Sequence, residues 1–425
     1  MITGVMAQMI NVLILAISYP VYLHFLGYKI YGLWLALGVV PALAQMGDLG
    51  IRTAVMKLVA EELGKGNYES IRKYVTIAVW FLAGMGLVGL GLILIFKTQI
   101  IVLFRFDSED ARLASWLLPY IGLLSVYVLI LQTFKATLSG LGRMDLANGC
   151  ETIGRAVTLS LAIILFYQNF NISSLLVSTA VSYVVQHLFC LIMIRRLVPI
   201  RFTVLSCLDV RHFRSLFRFG LGIFGGSLVT LLLDPFNRLM LSRYAGVDAI
   251  PIYDIAYRGA RQIRSLADMG LRALMPEISR LKSGLKEYAH RIRQINHLVM
   301  KVILLVGLPL FTLLFLCSAP LLKFWLGVNF SPALPPVFKV LLIGTYVSLL
   351  GIPGYYTLMG INRVRDCFMS HLILAALSAL VVIMIQLSPL DLSTLNVSYA
   401  VSTGYLVTTV FVLYRKNQVL NECAV

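Results

Sequence analysis

Charge is scarce in this 425-residue chain. Asp, Glu, Lys and Arg together supply 13% of it, against 59% hydrophobic residues and a mean hydropathy of +0.87. That balance excludes an ordinary soluble domain. Catalytic signatures are missing too: the chain has no Walker A, HExxH, GxSxG or paired CxxC sequence, so hydrolase and ATPase chemistry lacks residues to carry it. GMGLVG at 84–89 and GLGIFG at 220–225 satisfy G-x-G-x-x-G. Neither follows a strand, and both read as close-packing sites in apolar helices. The six cysteines show no metal spacing and resemble small buried hydrophobes, so no metal and no cofactor is expected. The start, MITGV, lacks the basic segment of a cleavable signal, so the first apolar run is expected to stay.

What is present is oil in long runs. A bilayer core of about 30 Å needs roughly 20 apolar residues per helix. The hydropathy pattern predicts about twelve such spans, near 4–26, 30–56, 74–96, 113–136, 146–168, 173–194, 214–242, 249–275, 298–317, 336–358, 365–386 and 395–414. The expectation is an all-α integral membrane protein. Basic residues concentrate in alternate loops, around Lys65–Lys73, Arg195–Arg218, Arg280–Arg293 and Arg363–Arg365, with Arg415 and Lys416 in the tail. This is the asymmetry that fixes orientation, and it predicts that both termini are cytoplasmic. It also accounts for much of the formal net charge of +17 without any nucleic acid.

The chain repeats itself. LSGLGR at 138–143 recurs as LMGINR at 358–363, and DLGIR at 48–52 recurs as DMGLR at 268–272, both 220 positions on. A shared offset points to duplication of a six-span unit. The expected organisation is a first bundle at 1–194, a cytoplasmic linker at 195–213 and a second bundle at 214–425, with a ligand cavity between the halves.

Against this background the stretch YDIAYRGARQIRSLADMGLR at 253–272 stands out. At about 100° per residue, Asp254, Arg258, Arg261, Arg264, Asp268 and Arg272 fall within an arc of roughly 120°, and the reverse face is small and apolar. Each arginine at mid-membrane costs at least ~2.5–3.5 kcal/mol, so four of them turned to lipid approach about 10 kcal/mol. Three arrangements avoid that cost. The helix lies along the interface, which inverts the loop-charge rule three times; or the charges pair structurally, Asp254 with Arg258 and Asp268 with Arg272, with Asp234 or Asp48 as further partners; or the stripe lines a water-filled cavity that receives an anion, for which the guanidinium fork suits phosphate. The third arrangement makes Arg258, Arg261, Arg264, Arg272, Arg52 and Arg238 substrate-binding candidates. Asp254, Asp268, Asp48 and Asp234 become candidates for ion coupling or pairing. Polar faces on the first span (Gln8, Asn11, Ser18, Tyr22) and the seventh (Asp234, Asn237, Arg238, beside the helix breaker Pro235) support the same cavity, while Glu151 and Arg155 read as a simple i,i+4 pair.

The segments LGYKIYGLWLALGVVPALAQMGDLGI at 26–51, GKGN with IRKYV at 64–75, SGLGRMDLAN at 139–148 and the arginine-rich helix running into LMPEISRL at 274–281 resemble the Wzx-type polysaccharide (O-antigen) flippases. These belong to the superfamily that also holds the MATE drug exporters and the MurJ lipid II flippases. The resemblance implies two six-helix bundles in a V shape in the bacterial inner membrane. It implies translocation of an undecaprenyl-diphosphate-linked oligosaccharide between leaflets by alternating access, coupled to H+ or Na+, with membrane lipids, a polysaccharide polymerase and a chain-length regulator as partners. It implies no covalent chemistry. Two rivals are an ion-coupled multidrug exporter, which calls for a carboxylate-rich cavity, and a membrane glycosyltransferase or O-unit polymerase, which calls for a sizeable external loop.

The topology is testable on its own. Reporter fusions after residues 285 and 390 are expected to read cytoplasm and exterior respectively; the reverse result breaks the assignment.

Overall fold

The structure is a computed structural model that describes residues 2–198, 210–271, 285–361, 363–388 and 391–422. Among these, every regular element is a helix. Nine helical stretches are long and apolar enough to cross a membrane, which makes this a multi-pass membrane protein. That number is smaller than twelve for identifiable reasons. One of the nine, Gln8–Asp48, covers the first predicted span and most of the second. The set is drawn from the described residues only, and the helix of the eighth predicted span, with its charged stretch, falls outside it.

The chain divides into two compact units, Met1–Leu231 and Leu232–Val425. The first contains α1 (Ile2–Leu37), α2 (Val39–Ala44), α3 (Ile51–Gly64), α4 (Tyr68–Ile95), α5 (Lys97–Phe104), α6 (Ser108–Gly140), α7 (Met144–Tyr167) and α8 (Ser173–Leu197). Helix α9 (Val210–Tyr244) passes from one unit into the other. The second continues with α10 (Ala249–Leu271), α11 (Leu285–Val302), a π turn at Ile303–Gly307, α12 (Leu308–Leu316), α13 (Ser318–Leu326), α14 (Leu334–Gly360), α15 (Val364–Leu387) and α16 (Thr394–Glu422). Of the predicted linker at 195–213, residues 195–197 close α8 and 210–213 open α9, while 199–209 lie outside the described residues.

The 220-residue offset carries through the helices. Helices α6 and α14 end on Gly140 and Gly360, and the 24-residue helices α7 and α15 begin on Met144 and Val364. The turns between them are built alike. The Arg143 amide donates to the Leu138 carbonyl at 3.0 Å, and Arg363 to Leu358 at 2.8 Å. One turn earlier, Thr137 and Thr357 each donate a hydroxyl, at 2.8 Å, to the carbonyl four residues back. Within each unit the third helix of this set returns to pack on the other two, α8 on α6 and α7, and α16 on α14 and α15. Small residues allow the approach: Gly154 on α7 lies against Gln186 of α8, and Gly344 on α14 against Ser402 of α16.

The second predicted span differs from expectation. Instead of one helix over 30–56, α1 ends at Leu37, α2 and a 3₁₀ turn (Gln45–Asp48) follow, and α3 starts at Ile51. The break is made by Leu49 and Gly50, both left-handed at φ 48° and 77°. Gly50 lies directly against the backbone of Gly220 on α9. A side chain at 50 has no room there, so the two glycines fix a helix crossing. Hydropathy cannot register this, because it averages over a window and carries no information on single backbone angles. Gly27, at φ 67° and ψ 177°, kinks α1 where the first two spans were expected to part.

Gly50→Ala combines left-handed strain with overpacking and is expected to cost about 2–4 kcal/mol. Gly66 is also left-handed but faces open space, and its alanine variant should cost only about 1 kcal/mol. Thermal unfolding of the two purified variants measures the difference.

Candidate functional site

The arginine stripe lies on α10, which forms an antiparallel hairpin with the end of α9 through the short turn 245–248. Gly246, at φ 95°, makes that turn. Antiparallel pairing sets Asn237 beside Tyr253 and Arg238 beside Asp254. The Asn237 amide donates to the Tyr253 hydroxyl at 3.0 Å, and the Arg238 Nη2 to Asp254 Oδ1 at 2.7 Å. Helix α9 runs unbroken through Pro235, against the expectation of a break. Neighbouring groups within a helical membrane protein can satisfy the carbonyl that a proline leaves free.

Asp254 is the hinge of the charge arrangement. Its side chain is 5% exposed and receives two guanidiniums, Arg238 (12% exposed) on one oxygen and Arg258 Nε, at 2.8 Å, on the other. The predicted i,i+4 partner is therefore present together with one from α9. One turn on, Arg261 lies 3.6 Å from Asp234; both are well exposed, at 60% and 42%. Arg264 is held over the Tyr405 ring of α16 at 5.5 Å and has no carboxylate partner among the described residues. Asp268 accepts a hydrogen bond of 3.1 Å from the Tyr356 hydroxyl of α14. The reverse face is packed: Ile255, Ala256 and Ala260 are buried, and Gly259 sits against the Phe338 ring of α14.

The second unit thus brings together Asp234, Arg238, Asp254, Arg258 and Arg261, with Arg264 and Asp268 further along the same helix. Arg272 lies outside the described residues. Asp48 and Arg52 belong to the first unit and bond each other, with Arg52 Nε 2.8 Å from Asp48 Oδ2 and the Arg52 amide 3.0 Å from Oδ1. On α1, the Ser18 hydroxyl bonds its own helix at Ile14, Tyr22 joins an aromatic group with Tyr31 and Phe166, and the buried Asn11 Oδ1 finds no donor among the described residues. Glu151 and Arg155 form the expected pair at 2.6 Å.

Sequence reasoning missed the tyrosines. Tyr253 and Tyr257 stack at 5.5 Å, and the Arg261 guanidinium lies 5.9 Å from the Tyr257 ring. Their i,i+4 spacing within the arginine stretch was a signal, since an aromatic face offers a guanidinium support without neutralising it. Tyr356 and Tyr405 come from distant helices and leave no such trace in the local sequence.

Residues 31–335 match the family described as polysaccharide biosynthesis protein, and the chain belongs to it. A candidate O-antigen transporter of Shigella flexneri is 22% identical over 349 residues, which is 81% of this chain and 79% of that one. Among solved structures, lipid II flippase MurJ in an inward closed conformation aligns with a TM-score of 0.77 at 14% identity, covering 100% of this chain and 89% of its own. An inward-facing multidrug resistance MATE family transporter of the MOP superfamily aligns at 0.76 and 12% identity, covering 99% and 93%. The fold is therefore the one shared by MATE transporters and MurJ.

Removing the Asp254 charge takes a carboxylate from two cations, one of them nearly buried. Asp254→Asn is expected to destabilise the protein by about 3–5 kcal/mol, whereas Asp234→Asn, at an exposed and longer pair, should cost about 1 kcal/mol or less. Thermal unfolding in detergent distinguishes the two.

Proposed function

We propose that this protein is a flippase for a lipid-linked oligosaccharide. It carries an undecaprenyl-diphosphate-linked repeat unit from the inner to the outer leaflet of the bacterial cytoplasmic membrane, with both termini cytoplasmic. The observation that carries this reading is the state of the stripe: Arg258 and Arg261 are 43% and 60% exposed, and Arg264 has an aromatic neighbour instead of a carboxylate among the described residues. Guanidiniums held in place yet still exposed suit a diphosphate, because the fork donates two parallel hydrogen bonds to one group. Family membership and the name of the Shigella flexneri relative support the same substrate class.

In this reading the polyprenyl tail stays in lipid while the head group follows a polar path along the arginine stripe, in a chain organised as bundles at 1–194 and 214–425 joined by a linker at 195–213. Arg258, Arg261, Arg264 and Arg272 meet the diphosphate, with Arg52 and Arg238 as further cations. Asp254 and Asp268 are the coupling candidates for H+ or Na+, with Asp48 and Asp234 beside them. The carboxylates also limit the excess positive charge, so the anion is attracted without being trapped. Polymerase and chain-length regulator act on the delivered product. An ion-coupled drug exporter of the same fold is a weaker reading, because cationic cargo favours a carboxylate-rich site.

The deciding experiment uses proteoliposomes loaded with a defined polyprenyl-diphosphate sugar and reads its appearance in the opposite leaflet. Arg261→Ala and Arg264→Ala are expected to lower transport at least tenfold with normal membrane abundance, a loss of about 1.4 kcal/mol or more in the rate-limiting step. Arg264→Lys should recover little, since an ammonium offers no fork. Normal transport by both alanine variants overturns the reading.

A further inference from the structure

An open groove of about 390 Å³ lies on the first unit, lined by Lys97, Arg112, Ser115, Trp116, Pro119 and Tyr120. Its wall is one face of α6, since 112, 115, 116, 119 and 120 recur at the spacing that stacks side chains along a helix. Lys97 closes it from the start of α5, where that short helix leaves α4. The two aromatic rings pack on each other at 5.2 Å and are 47% and 46% exposed, so their faces are available.

The cations here are not spent on carboxylates. The acidic residues at the start of the same helix, Asp107, Glu109 and Asp110, gather instead around Lys29, whose Nζ lies 2.8, 3.9 and 3.7 Å from them. That contact holds the Asp107 carboxyl below its ordinary range, the hydrogen bond from Lys29 being the main cause. Lys97 and Arg112 form no ion pair among the described residues. The neighbouring surface is lipid-like: Ile95, Phe96, Val102 and Leu103 around the α4–α5 junction are exposed, which a membrane protein tolerates only where acyl chains cover them.

The duplication supplies an internal control. Displaced by 220 positions, the six lining residues become Cys317, Pro332, Pro335, Pro336, Lys339 and Val340. A feature needed by the fold belongs in both halves. The pairing of two cations with two aromatic rings and a hydroxyl occurs in one.

We infer that this groove binds the head group of an acidic glycerophospholipid, with Lys97 and Arg112 holding the phosphodiester and Ser115, Trp116 and Tyr120 receiving its hydroxylated end. The size fits: about 390 Å³ lies at the small end of ligand sites and accommodates a phosphate with a glycerol. None of its lining residues belongs to the arginine stripe, so the site regulates or anchors the first unit instead of carrying cargo.

The test uses the full chain in nanodiscs of equal parts phosphatidylglycerol and phosphatidylcholine, re-extracted so that retained lipid is counted by native mass spectrometry. Phosphatidylglycerol should be enriched. Lys97→Gln and Arg112→Gln should each lower the enrichment about fivefold, while Lys97→Arg and Arg112→Lys keep it. Lys323→Gln, which removes an exposed cation from the second unit, should leave it unchanged. Equal retention by the wild type and the Lys97→Gln/Arg112→Gln double variant overturns the inference, as does an equal fall in Lys323→Gln. Soluble glycerol 1-phosphate should not bind the delipidated protein measurably; if it binds as tightly as the lipid, the lipid assignment fails. Transport of the polyprenyl-linked sugar is read separately, so failure here leaves the flippase reading standing.

Discussion

A guanidinium taken out of water must find its hydrogen bonds within the protein, and the hairpin of α9 and α10 depends on Asp254 for this. Its two carboxylate oxygens face opposite ways, one to Arg238 on the neighbouring helix and one to Arg258 on its own. A single buried anion thereby fixes the rotation of α10 about its axis. Once that rotation is set, Gly259 meets Phe338 of α14, Ile255 and Ala256 are buried, and Arg258 and Arg261 stay exposed. Burial of a charged pair brings little net stability by itself. Its value here is geometric, because it decides which way the stripe points.

The tyrosines extend this arrangement without cancelling it. A carboxylate beside every arginine would give a neutral ladder with nothing left to attract an anion. The rings near Arg261 and Arg264 support the guanidiniums without neutralising them, Arg261 lying also 3.6 Å from Asp234. The helix therefore grades from a neutralised end at Arg238 and Asp254 to a less compensated one at Arg261 and Arg264.

Much of this was legible in the sequence, for physical reasons that differ from one feature to the next. Hydropathy located the membrane helices because span length follows from bilayer thickness. The spacing of the repeated motifs anticipated the matching turns at Arg143 and Arg363, since those turns are local and close their own hydrogen bonds. Helical periodicity placed Asp254 next to Arg258. The partners supplied by other helices, Tyr356 and Tyr405, were not legible, because nothing in a local pattern names what packs across from it. The elbow after residue 37 was missed for a related reason: it is stabilised by a glycine–glycine crossing with a helix some 170 residues away in the chain.

That elbow bears on the repeated motifs. DLGIR and DMGLR lie 220 positions apart and share Asp, Gly and Arg, yet Gly50 turns left-handed while Gly270 continues a helix to Leu271. The pentapeptide does not dictate its own path; the surroundings do. One spelling thus serves a bend in one place and a rod in the other, and transplanting either into the other's position would carry the letters across without their meaning.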